Sequence, residues 1–129
     1  MLFFVIKKIK KDPYYLHEIP ENKLNDKIID AAIDAGYVLK GDSPIYLLKF
    51  RRIAEYYLLN FRPYGANNLR YIEKFPDLIK SIIHKLNISD YAGEDFEYIV
   101  SLLKEYHDYL VPSIHYNVIN RDDFIYYYL

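Results

Sequence analysis

Between Asp42 and Phe61 the chain reads DSPIYLLKFRRIAEYYLLNF, and this stretch constrains the fold more than any other. Ser43 has the side chain of an N-cap, and Pro44 follows at the first helical position, where its missing N–H costs nothing. Leu47, Phe50, Ala54, Tyr57, Leu58 and Phe61 recur at three- and four-residue steps, the repeat of one helical face. The spacing predicts a central helix from Pro44 to Asn60 in an all-α domain. Arg51, Arg52 and Glu55 lie on its middle turns beside the stripe and are the binding candidates. Arg51 and Glu55 stand four apart and can pair on the helix surface.

The stretches on either side read as helices too. Pro20 opens a segment in which Leu24, Ile28, Ala31, Ala32, Ala35 and Leu39 share a stripe, which predicts a helix from Glu21 to Leu39. Gly36 is an early stop and Gly41 the alternative. Lys40–Ser43 is short enough for an antiparallel hairpin. After the loop Arg62–Asn68, Leu69, Ile72 and Phe75 form a short helix, with Asn67 or Asn68 as its cap. Pro76 breaks or restarts it, and Leu78, Ile79, Ile82, Ile83 and Leu86 continue the apolar pattern. The last long helix is expected from Asp95 to Leu110, with Phe96, Val100, Leu103, His107 and Leu110 on one face. A final short helix is expected over Asp122–Tyr128.

At the other end, Leu2–Ile9 is apolar and then basic. Its β-branched and aromatic residues favour a short strand, with a helix running on to Lys11 as the alternative. Lys7, Lys8, Lys10 and Lys11 form the densest positive cluster. They are the nucleic-acid candidates, although such runs more often serve as a solvated edge. Asp12-Pro13 marks a turn, and Tyr14–Ile19 reads as extended or irregular.

At 129 residues, with 52% apolar residues, one self-sufficient domain is expected. The reading is a single all-α bundle of about five helices over 20–129, with residues 1–19 as an extension or strand. A formal net charge of −1 provides no overall field toward nucleic acid or anionic membrane. Cysteine is absent, which excludes disulfides, thiolate metal sites and a cysteine nucleophile. MLFFVI is followed rather than preceded by its basic residues and is too short to span a bilayer. A cytoplasmic protein without membrane partner, metal or cofactor is therefore expected. Sixteen tyrosines are the compositional oddity; a ring with a wet end and an apolar body suits half-buried positions and interfaces. Glutamine and threonine do not occur, which fits a thermophile or an AT-biased genome.

Chemistry has few candidates. His107, Asp108 and His115 cluster around the end of the last long helix and would be the catalytic group of an enzyme. His107 is expected on the apolar face, where a histidine is usually packed. His17 and His84 stand alone. No phosphate loop, dinucleotide fingerprint, nucleophile elbow or zinc motif occurs.

Three of these features together resemble the HEPN-like superfamily. Ile19-Pro20-Glu21 leads into an alanine-bearing helix. Arg52-Ile53-Ala54-Glu55 follows Ser43-Pro44 on a central helix. A late helix ends in a polar turn leading to His115. The resemblance covers Pro20 to the C-terminus and implies an up-down helical bundle that dimerises. In active members it also implies a metal-independent ribonuclease site of an arginine, a polar neighbour and a histidine four to six residues on. His107 stands in the arginine's place, Asp108 follows, and His115 comes later than the pattern has it, beyond Pro112. The expected function is a homodimeric, non-catalytic interaction protein, with a ribonuclease or nucleic-acid-binding module as the alternative.

Overall fold

The computed structural model describes residues 2–109, and they are all-α. Six α-helices occur there: α1 (Leu2–Lys11), α2 (Asp26–Asp34), α3 (Arg51–Asn60), α4 (Ala66–Ile72), α5 (Pro76–Ile82) and α6 (Gly93–Glu105). Short 3-10 turns join them, and the described residues contain no strand. None of these helices is long and apolar enough to cross a membrane. Two compact units divide after Tyr57, inside α3.

In the first unit, α1 packs on α2 and on the 3-10 turn Pro13–Glu18. Of the two readings of Leu2–Ile9, the structure has the helix running on to Lys11 and not the strand. A strand needs a partner for its backbone groups, whereas a helix satisfies its own. As a helix the segment also buries Ile9 completely and half-buries Val5 and Ile6. Tyr14–Glu18 is likewise not extended: the Asp12 carboxylate accepts from Tyr14 N–H at 3.0 Å and caps the turn.

α2 is shorter at both ends than the apolar stripe predicts. Pro20 leads only into the 3-10 turn Glu21–Lys23. The helix begins after Asn25, whose side chain accepts from Ile28 N–H at 2.9 Å. It stops at Gly36, whose φ of 103° is open to glycine and strained for other residues. Gly36 N–H bonds to Ile33 C=O and Tyr37 N–H to Ala32 C=O, at 3.0 and 2.8 Å, closing a Schellman motif. Leu39 lies past this stop and is still buried.

The central helix is not continuous. Ile45–Lys49 is a 3-10 turn, Phe50 is extended at φ −101° and ψ 127°, and α3 starts at Arg51. Ser43 does not cap it, because Ser43 Oγ accepts from Lys40 N–H at 2.9 Å and closes the preceding turn. Leu47 and Leu48 are both buried in the 3-10 turn, and Ile53, Ala54, Tyr57 and Leu58 form the buried face of α3.

In the second unit, α4 packs on α5 and α6. Gly65, not Asn67 or Asn68, precedes α4, and its C=O accepts from Leu69 N–H. Pro76 restarts the chain as the first residue of α5. Leu69, Ile72, Ile79, Ile83, Leu86, Ile88, Ile99 and Leu103 are essentially inaccessible. Tyr64 donates to Leu58 C=O at 2.7 Å and Tyr91 to Tyr64 C=O at 2.5 Å, so two tyrosines hold the loop after α3.

α6 begins at Gly93 and ends at Glu105, short of the expected Leu110. Tyr106 leaves helical geometry at φ −107° and ψ 24° and remains buried. That turn takes His107 off the apolar face and into solvent. Leu110, His115 and the helix expected over Asp122–Tyr128 lie outside the described residues.

Candidate functional site

The lysines of the first stretch sit on α1, which carries no acidic residue. Counting 100° per residue from Ile9, the side facing away from the core holds Phe3, Phe4, Lys7 and Lys11, while Lys8 and Lys10 lie on the two flanks. Phe3 is 79% and Phe4 68% exposed. Lys8 Nζ lies 5.1 Å from the Tyr15 ring centroid, a cation–π contact, and Lys10 lines a shallow hollow with Asp30 and Asp34. The cluster found in sequence is thus divided: Lys7 and Lys11 share the outward face with Phe3 and Phe4, and Lys8 and Lys10 lie on the flanks.

Arg51, Arg52 and Glu55 occupy the first turns of α3. Arg51 Nε approaches Glu55 Oε1 at 3.9 Å, the expected four-residue pair. Arg52 turns to α2 instead: its Nη1 donates to Asp30 Oδ1 at 3.1 Å and lies 3.6 Å from Asp34 Oδ1. The hydrogen bond that Arg52 donates to Asp30, and the charges of both carboxylates, raise the Arg52 pKa further above its ordinary value. Glu21 and Lys49 form a further pair in this unit. Arg52 therefore ties two helices together, a role that spacing along one helix does not reveal.

His107 and Asp108 do come together. His107 Nε2 lies 3.0 Å from Asp108 Oδ1, and Nδ1 lies 3.1 Å from Lys104 C=O. Both side chains are more than half exposed. His115, the third member of the expected group, lies outside the described residues. Among the described residues no cluster of three His, Asp or Glu could hold a metal ion.

Sequence reading missed the most connected polar group. His17 Nε2 lies 2.6 Å from the Tyr37 hydroxyl, which donates to Ser43 Oγ at 2.9 Å. With the Tyr37 O–H directed at Ser43, the contact with His17 is one in which His17 Nε2–H donates to the Tyr37 oxygen. Tyr14 packs on both rings, at centroid distances of 5.9 Å to His17 and 5.1 Å to Tyr37. Burial pushes the Tyr37 hydroxyl above its ordinary pKa, the Ser43 hydrogen bond opposing it. A neutral Tyr37 is a poor base, and Ser43 is already engaged by Lys40 N–H. The group therefore works as a clamp joining three distant segments. No spacing rule connects positions 17, 37 and 43; only the Schellman turn at Gly36 swings Tyr37 into place.

In the second unit, a pocket of about 280 Å³ is lined by Arg62, Tyr64, Lys85, Asn87, Asp90 and Tyr91 among others. Arg70 stacks over the Tyr98 ring at 4.0 Å. The Tyr98 hydroxyl is buried and meets no partner with good hydrogen-bond geometry. Burial, with the nearby Glu73 carboxylate, pushes its pKa up. Comparisons of the whole chain with protein-family models, with curated proteins and with solved structures find no match.

Proposed function

We propose that this is a small cytoplasmic interaction protein that works as a homodimer, by presenting surfaces and not by turning over a substrate. The observation that carries the reading is the amount of large apolar side chain left in water on helices whose other sides are packed. Phe3 and Leu59 are each 79% exposed, on α1 and α3. Phe3 has Phe4, 68% exposed, beside it, and large apolar side chains gathered in this way are the usual anchors of interfaces. Leu59 is assigned to the contact between copies. The absence of cysteine fits a reducing compartment. Sedimentation equilibrium tests the assignment. The protein should sediment as a dimer, and Leu59→Glu as a monomer with unchanged helicity. A monomeric parent protein overturns the homodimer.

The second reading is a HEPN-type ribonuclease or nucleic-acid-binding module. It is favoured by the exposed His107–Asp108 pair, which has the acid, base and cation chemistry of metal-independent cleavage. Its residues would be His107, Asp108 and His115, with Lys7, Lys8, Lys10 and Lys11 on phosphates. The test is incubation with labelled RNA and DNA, beside His107→Ala and His115→Ala. Cleavage lost in both variants would establish this reading over the first.

A further inference from the structure

We propose that the outward face of α1 docks on an anionic lipid bilayer. The inference rests on the reading of this chain as an interaction protein and assigns a partner to one of its faces. The outward face of α1 presents two adjacent phenylalanines, 79% and 68% exposed, with Lys7 and Lys11; Lys8 lies at its edge, and Lys10 lines the hollow with Asp30 and Asp34. Phe3, Lys7 and Lys11 follow one another at four-residue steps, and Phe4 and Lys8 repeat the step beside them. The two kinds of side chain are therefore sorted along the axis. The phenylalanines occupy the first turn, and the lysines lie about 6–12 Å further on, at 1.5 Å per residue.

A bilayer surface is sorted in the same way over the same depth. An α1 axis dipping at its N-terminal end carries the Phe3 and Phe4 rings below the headgroups. Lys7, Lys8 and Lys11 then reach lipid phosphates and anionic headgroups on flexible stems. The opposite side of α1 is held by fully buried Ile9 against α2 and the Pro13–Glu18 turn. The face is thus presented by a packed scaffold and needs no unfolding to be used.

The other occupants fit less well. A single nucleic-acid strand is held in a groove where aromatics and cations alternate, whereas this face is convex and its aromatics and cations are segregated. A second copy of the chain would bring a face with Lys7 and Lys11 and no acid of α1 against its equal. The near-neutral net charge does not oppose bilayer binding, because headgroup attraction acts within a Debye length and reads the local face.

The test is flotation of the full chain with phosphatidylcholine vesicles, without and with about 30% phosphatidylserine. Binding is expected to the anionic vesicles only. Phe3→Ser with Phe4→Ser, and separately Lys7→Glu with Lys11→Glu, should each weaken it roughly tenfold or more, with melting temperatures unchanged. Leu59→Glu should float like the parent protein, so failure of the homodimer and failure of bilayer docking are separately visible. Absence of flotation with anionic vesicles overturns the proposal, as does flotation that the phenylalanine variant leaves intact. A parallel anisotropy titration with labelled RNA covers the remaining outcome. RNA binding sensitive to the lysine variant, without flotation, assigns the face to nucleic acid and overturns the bilayer.

Discussion

Arg52 on α3 donates a 3.1 Å hydrogen bond to Asp30 on α2, with Asp34 one helical turn further on at 3.6 Å. The two helices are joined there by charge, beside a contact made by apolar side chains. About half of the Arg52 and Asp30 side chains is open to water, so solvent screens much of the attraction. Arg52→Met should lower stability by less than about 1 kcal/mol. Arg52→Glu should lower it more, because it sets three carboxylates together. Urea midpoints of the two variants check the order.

Ile9 is the anchor of α1. It is fully buried on a helix whose opposite side is in water. Ile9→Ala should cost about 2–5 kcal/mol, the range for truncating a buried isoleucine. Phe3→Ser with Phe4→Ser should stay within about 0.5 kcal/mol of the parent protein. Equal losses in the two denaturation curves would contradict the outward placement of the phenylalanines.

Gly36 ends α2 at a φ of 103°, and a Cβ added there would meet no atom within 4 Å. The cost of Gly36→Ala is therefore conformational and not steric crowding by neighbours. It should be about 1–2 kcal/mol. The same substitution at Gly41, which has a negative φ and equally open space, should be nearly neutral. Thermal melts of both variants make the comparison.

Alkaline pH should destabilise the fold through Tyr37 and Tyr98. Burial raises both hydroxyl pKa values above the ordinary 10.0. The unfolded chain then loses these protons at lower pH than the folded one, so the native state binds more protons above pH 10. The contribution is fully present below pH 10 and declines as pH rises from there toward the folded values. Tyr98→Phe should flatten that decline. At neutral pH it should change stability by no more than about 1 kcal/mol, because the buried hydroxyl it removes meets Glu73 only with poor hydrogen-bond geometry. A pH series of urea midpoints for parent and variant measures both effects.

Much of the architecture was legible along the chain. The three- and four-residue apolar repeats identify the all-α class and most buried positions, among them Ile28, Ala32, Leu47, Ala54, Ile79, Ile83, Val100 and Leu103. Pro76 as a helix start and Gly36 as a helix stop were legible because each acts through its own backbone. Of the candidate residues, the pairs Arg51–Glu55 and His107–Asp108 were legible, since both are local in sequence.

Other features depended on contacts between distant segments. Leu2–Ile9 has strand-like composition, but burial of Ile9 against α2 makes it a helix, and only that choice sets Phe3, Phe4, Lys7 and Lys11 on one outward face. Asp42–Phe61 has one apolar stripe, but the backbone is extended at Phe50, which divides it into the Ile45–Lys49 turn and α3. His107 repeats the buried register of Leu103, but the turn at Tyr106 sends it into solvent. His17, Tyr37 and Ser43 share nothing in sequence and meet in space. The division has one physical cause. Apolar periodicity and the backbone limits of proline and glycine act within a few residues, so they are written locally. Where a helix breaks, and which polar groups meet, depends on burying side chains that lie tens of residues apart.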